Sequence, residues 1–128
     1  MVEDDKFVSR LLQKGFASRP EFRCTYFENA EEALAAITSV GVSQRPHMLL
    51  TDLNLPGMSG LNLTKALRLR PECREMRIVI MSGDSDAGAS GQLVAAGADL
   101  FMDKIELSSN FVVSVQAMSG MLSRPRAA

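Results

Sequence analysis

Residues 48–52 read Met48-Leu49-Leu50-Thr51-Asp52, a short apolar run that ends on a carboxylate. The run is too short for a helix and does not alternate. That is the pattern of a parallel strand covered on both faces. Further on, Ile78-Val79-Ile80-Met81 repeats it and ends at Ser82-Gly83, and residues 98–102 predict another strand. The intervening segments have helical spacing. Leu61, Leu63, Leu67 and Leu69 follow the turn Pro56-Gly57-Met58-Ser59-Gly60 and are stopped by Pro71. Residues 86–96 predict a helix in which Gly88 and Gly91 each cost about 1 kcal/mol, so it is expected to fray. Strands separated by helices lie parallel, joined by right-handed crossovers.

The front of the chain extends the same alternation. Asp5 is placed to cap a helix carrying Phe7, Val8, Leu11, Leu12 and Phe16, with Gly15 and Pro20 bracketing its end. Residues 22–27, aromatic and β-branched, predict a strand. Asn29 caps a helix over residues 30–40 that turns Ala33, Leu34 and Ile37 inward, and residues 41–46 form a polar loop. Phe111, Val112, Val115, Met118, Met121 and Leu122 trace a final helix. The expected architecture is an α/β open sheet, with one domain over residues 1–122 and a tail over 123–128. Its first strand is truncated, because only Met1-Val2 precede three carboxylates.

Composition removes several functions. The 128 residues carry 14 Lys and Arg against 15 Asp and Glu, a net charge of −1, which provides no electrostatic footprint for nucleic acid. With 46% hydrophobic residues the chain can bury a core. No apolar run approaches the roughly 20 residues of a membrane span, and the acidic start does not read as a secretory signal. Cys24 and Cys73 are isolated, as expected of reduced thiols in the cytoplasm.

In such sheets the working residues lie just past the carboxyl ends of the strands. Here those positions hold Glu3 and Asp4, Asp52, Ser82 and Lys104. Clustered carboxylates repel one another unless a cation sits among them, and hard oxygen donors suit Mg²⁺. The chemistry such a rim supports is phosphoryl transfer to a carboxylate.

Four motifs in order resemble those of receiver domains of two-component response regulators, similar to the stand-alone chemotaxis-type regulators. They are Val2-Glu3-Asp4-Asp5, the run from Thr51-Asp52 through Gly60, Ile80-Met81-Ser82-Gly83, and Ala96-Gly97-Ala98-Asp99 with Asp103-Lys104. The resemblance implies a flavodoxin-like sheet of five parallel strands in the order 2-1-3-4-5, with helices on both faces. It implies Asp52 as phosphoryl acceptor, supplied by the phosphohistidine of a sensor histidine kinase or a histidine phosphotransfer protein. Mg²⁺ would be held by Glu3, Asp4, Asp52 and the backbone carbonyl of Asn54. Ser82 and Lys104 would contact the phosphoryl group, Phe101 would be the switch aromatic, and Asn54 and Asp84 would modulate the lifetime of the phosphoryl group. Output would pass to a protein through the family's fourth helix, fifth strand and fifth helix, in a monomer or weak dimer that is a signalling module and not an enzyme.

Three features depart from that pattern. Ile105 follows Lys104 where the family usually carries a cis proline, so a trans bond is expected. Residues 83–91 are rich in small residues. The short first strand leads us to expect either residues before Met1 in the natural chain or a partner that completes the strand. These departures favour a rival reading, a pseudo-receiver that binds partners without phosphorylation, whereas the complete acidic and hydroxyl set opposes it. An aspartyl-phosphate phosphohydrolase would need a second carboxylate two residues after Asp52, and Asn54 cannot transfer that proton. His47 reads as structural, and the methionines as core, with Met118 and Met121 available to a partner surface.

Overall fold

In the computed structural model, residues 1–41, 44–83 and 90–126 are described. β1 (Met48–Asp52) lies parallel to β2 (Arg77–Ser82), with Leu50 opposite Val79 and Asp52 opposite Met81. β3 (Leu100–Asp103) lies parallel to β2 on its other side, with Phe101 opposite Ile80 and Asp103 opposite Ser82. On the far side of β1, Val2 bridges Thr51 and Phe27, both in parallel. Its N–H donates to the Leu50 carbonyl at 2.8 Å and its carbonyl accepts from Asp52 N–H at 2.9 Å. Read across, the sheet runs Phe27, Val2, β1, β2, β3, which is the order 2-1-3-4-5.

The first strand is as short as its sequence implies. The strand expected over residues 22–27 is corrected to the single bridging residue Phe27. Phe27 N–H donates to the Met1 carbonyl at 2.9 Å and its own carbonyl accepts from Glu3 N–H at 3.0 Å. Ladder hydrogen bonds need a backbone opposite, and residues 1–3 offer one only to Thr25 and Phe27, the Met1 ammonium donating to the Thr25 carbonyl at 2.7 Å.

Helices cover both faces. α1 (Lys6–Ala17) is capped by Asp5, whose carboxylate accepts from the N–H groups of Phe7 and Val8. α2 (Ala30–Ser39) is capped by Asn29 and α3 (Gly60–Arg68) by Ser59. α4 (Ser90–Ala96) covers the second half of the helix expected over residues 86–96, the first half of which lies outside the described residues. Along β2, Ile78 and Ile80 pack with Ala33, Ile37, Leu63, Leu67 and Leu93. Val79 and Met81 pack on the opposite face with Leu12, Phe16, Val115 and Met118. Two buried faces on one strand are what make its run continuously apolar.

Other expectations need correction. Leu69, expected to continue the helical leucines of α3, caps that helix and is 83% exposed, and Phe7 on α1 is 71% exposed. Val112 is exposed as well, because the final helix is apolar over more than the one stripe it buries. β3 starts at Leu100 and not at residue 98, since Gly97 takes a positive φ of 106° and Ala98 N–H turns back to the Leu93 carbonyl at 3.0 Å.

A helix not anticipated, α5 (Lys104–Ser109), starts directly at the end of β3 and precedes α6 (Phe111–Leu122). Its cap is Asp103, whose Oδ1 accepts from Ile105 N–H at 2.8 Å and from Glu106 N–H at 3.2 Å. A proline at position 105 has no N–H to give, so isoleucine supplies the shorter of the two cap hydrogen bonds. Among the described residues no peptide bond is cis.

At the other end of the sheet, Asp99 gathers the chain. Its Oδ2 accepts from Arg68 at 2.9 Å and from Ile78 N–H at 2.9 Å, and its Oδ1 accepts from Arg126 at 2.8 Å. Arg126 therefore fastens the end of the tail beneath β2 and β3. Among the described residues no helix is long and apolar enough to cross a membrane.

Candidate functional site

The parallel register creates the site. Because Val2 pairs with Thr51, the two residues after Val2 arrive beside Asp52 at the carboxyl end of β1. One carboxylate oxygen each from Glu3, Asp4 and Asp52 lies within 4.8 Å of the others. Glu3 and Asp52 are buried, at 2% and 3% exposure, whereas Asp4 faces solvent. Two buried carboxylates this close repel unless a cation or a proton lies between them. Lys104 supplies the cation, its Nζ donating to Asp52 Oδ2 at 2.7 Å and to Glu3 Oε1 at 2.8 Å. The ammonium reaches that position because α5 starts with no intervening loop.

The charges show in the acidities. Burial pushes the Glu3 carboxyl up to about 7, helped by the neighbouring Asp52 and only partly offset by Lys104. Burial disfavours the Lys104 ammonium, yet its hydrogen bonds to Asp52 and Glu3 outweigh this and raise its pKa above the ordinary lysine value. Glu3 Oε2 is buried with no hydrogen-bond partner among the described residues. An orphaned carboxylate oxygen beside two further oxygen donors, one of them open to solvent, fits a hard divalent ion such as Mg²⁺.

The remaining expected residues are distributed around this centre. Asn54 N–H donates to Asp52 Oδ1 at 3.3 Å. Ser82 ends β2, buried, one position beyond the residue opposite Asp52. Phe101 is half-buried on β3 and packs against the cluster formed by α2, α3 and α4. Asp84 lies outside the described residues.

Reading the residues alone missed Gly60, which was taken as a turn glycine. It is the first residue of α3, and its N–H donates to the Leu53 carbonyl at 2.9 Å. A Cβ on Gly60 would run into the backbone carbonyl oxygen of Asp52. The only local signal was its place directly after a capping serine. Gly60→Ala is expected to cost about 2–3 kcal/mol in urea denaturation, because the clash is with backbone and cannot be relieved by a rotamer. A cost under about 0.5 kcal/mol would contradict this contact.

Comparison with known proteins agrees with the geometry. The family model "Response regulator receiver domain" matches residues 1–116. The chain is similar to the DNA-binding transcriptional regulator NtrC of Salmonella typhimurium, 34% identical over 104 residues, which cover 81% of this chain and 21% of that protein. It is also similar to the two-component response regulator ARR16 of Arabidopsis thaliana, 31% identical over 114 residues, covering 79% of this chain and 65% of that protein. The chain thus spans about a fifth of the length of its NtrC relative. Among solved structures, a putative response regulator from Chloroflexus aurantiacus superposes with a TM-score of 0.80 at 26% identity, covering 96% of this chain and 94% of that one.

Proposed function

The chain belongs to the response regulator receiver family, and from that membership we propose that Asp52 is the residue at which its phosphorylation-dependent switching is set. The donor is a phosphohistidine on a sensor kinase or phosphotransfer protein. An Asp52 carboxylate oxygen forms the new P–O bond while the P–N bond breaks and its electron pair returns to the imidazole. The observation that carries this reading is the Lys104 ammonium lying on both Asp52 and Glu3 at 2.7 and 2.8 Å. It sets a positive charge against Asp52 in a buried site and is placed to follow charge onto the phosphoryl oxygens.

Glu3, Asp4, Asp52 and the Asn54 carbonyl form the donor set for Mg²⁺, which when bound neutralises charge on the phosphoryl oxygens. Ser82 donates its hydroxyl to the phosphoryl group from the neighbouring strand. Its movement biases the half-buried Phe101, a local change read out as a shift between two packings. Phe7 and Leu11 on α1 and Ile105 on α5 are exposed apolar residues that follow closely on the acidic pair and on Lys104. They suit a donor protein that must reach Asp52. Exposed Val94 on α4, with Val112 and Val113 on α6, suits a downstream protein that distinguishes the two states. The test is acetyl phosphate or beryllofluoride with millimolar Mg²⁺, read by intact mass and by NMR shifts at Phe101. If the wild type responds to neither, the phosphorylation reading falls and constitutive binding takes its place.

Proton and metal compete for Glu3, whose carboxyl is raised to about 7. Mg²⁺ affinity measured by calorimetry is therefore expected to be about tenfold weaker at pH 6 than at pH 8. Glu3→Gln should flatten that dependence, and an unchanged slope in the variant would assign the proton elsewhere.

A further inference from the structure

The opposite end of the sheet, about 13 Å from Asp52 along β1, holds a cavity of about 300 Å³ bordered by Arg45, His47, Met76, Arg77, Leu122 and Arg126. Its charges do not cancel. Asp99 lies within 4.0 Å of three guanidinium groups, those of Arg68, Arg126 and Arg77, which leaves two positive charges over. Arg45 adds another, and its Nε and Nη1 are buried with no hydrogen-bond partner among the described residues. The acids on the same wall meet only part of this excess: Glu72 pairs with Arg70 at 3.4 Å and also feels the charge of Arg45, Glu75 is exposed, and Arg124 adds a further positive charge to the wall. Buried guanidinium donors are ordinarily satisfied, and their planar fork matches phosphate oxygens.

We propose that this cavity is a second ligand site, which takes a small phosphate-bearing molecule. The phosphate is held by Arg45 and Arg77, with Arg45 turning its orphaned donors into the cavity, and the body of the ligand lies against Met76 and Leu122. A phosphate dianion matches the excess of arginines (Arg45, Arg77, Arg124 and Arg126) over acids (Glu72 and Glu75) on the cavity wall. The volume, at the small end for ligand pockets, suits a compact solute and not a polypeptide segment. Arg126 on the tail closes one side, so occupancy holds the tail in place. This site is independent of the reading of Asp52.

The test uses calorimetry on the full chain with inorganic pyrophosphate and with adenosine monophosphate, in EDTA so that no divalent ion recruits phosphate to the acidic rim. Both probes are expected to bind with Kd below about 1 mM. Tighter binding of the nucleotide would assign the apolar wall to an ester's body, and equal binding would assign the site to free phosphate anions. Arg45→Gln is expected to weaken both by at least about fivefold while leaving melting and phosphorylation of Asp52 unchanged. As a readout free of mutation, the His47 ring resonances should shift with ligand while those of Phe101 stay put. The proposal is overturned by absence of binding up to about 10 mM, by equal affinity in Arg45→Gln, or by shifts at Phe101 in place of His47.

Discussion

Asp52→Asn is expected to abolish phosphorylation while leaving the chain folded. The amide oxygen carries no negative charge to attack phosphorus, so incorporation from acetyl phosphate, followed by intact mass, should fall by at least about a hundredfold. The fold should tolerate the change because the substitution removes one of two like charges beside Glu3 and keeps the shape of the side chain. Lys104 retains Glu3 as partner at 2.8 Å. Relieved of the neighbouring charge that helps raise it, the Glu3 carboxyl should titrate lower than about 7. A variant that still gains the phosphoryl mass would move the acceptor to another carboxylate, with Asp4 the nearest open one.

Lys104→Met should have the largest effect on stability, and the effect should depend on pH. Without the ammonium, Glu3 and Asp52 are left buried with no cation between them, and breaking a buried pair typically costs about 3–5 kcal/mol. Because Lys104 keeps 23% of its side chain exposed, about 3 kcal/mol is expected at pH 8 in EDTA. The sign follows from Glu3. Its carboxyl is raised from 4.5 to about 7 in the folded protein, so protonation stabilises the fold. That contribution is complete below about 4.5 and is lost as pH rises through about 7. In the variant, with the ammonium gone, the raised range widens, so the cost should shrink at pH 5 and grow at pH 8. Millimolar Mg²⁺ should recover part of the loss at pH 8, since it supplies the missing positive charge. Urea denaturation at the two pH values, with and without Mg²⁺, measures all of this. An equal loss at both pH values would mean that Lys104 stabilises through packing and not through the buried carboxylates.

What could be read from single residues and their near neighbours was largely legible beforehand. The apolar runs at residues 48–51 and 78–81, and the caps Asp5 and Asn29, act over one or two turns of chain and need nothing distant to be recognised. The rim followed from them, because parallel strands deliver their last residues to one edge. Glu3, Asp52 and Lys104 do meet there, 2.7–2.8 Å apart through Lys104. The resemblance to receivers raised the same residues by motif, and the trans bond at Ile105 was expected from the missing proline.

What the local pattern could not decide depended on the atoms lying across from each group. Residues 22–27 carry strand-like side chains, yet a strand exists only where another backbone pairs with it, and residues 1–3 reach only Thr25 and Phe27. Ile105 stood out only for the missing proline, and nothing local showed that Asp103 would cap a helix starting at Lys104. The exclusion of a Cβ at Gly60 comes from the carbonyl of Asp52, several residues away across a turn. The tail read as a loose end, yet Arg126 closes on Asp99 at 2.8 Å. Sequence by itself determined the buried strands, the capped helices beside them and which residues the strand ends would present, because periodicity and capping are short-range physics. Only the tertiary structure decided how much of each strand is paired, that the Glu3 carboxyl is pushed up to about 7, and where uncancelled charge collects. Ladder bonding, desolvation and Coulomb energy are all set by groups distant in the chain.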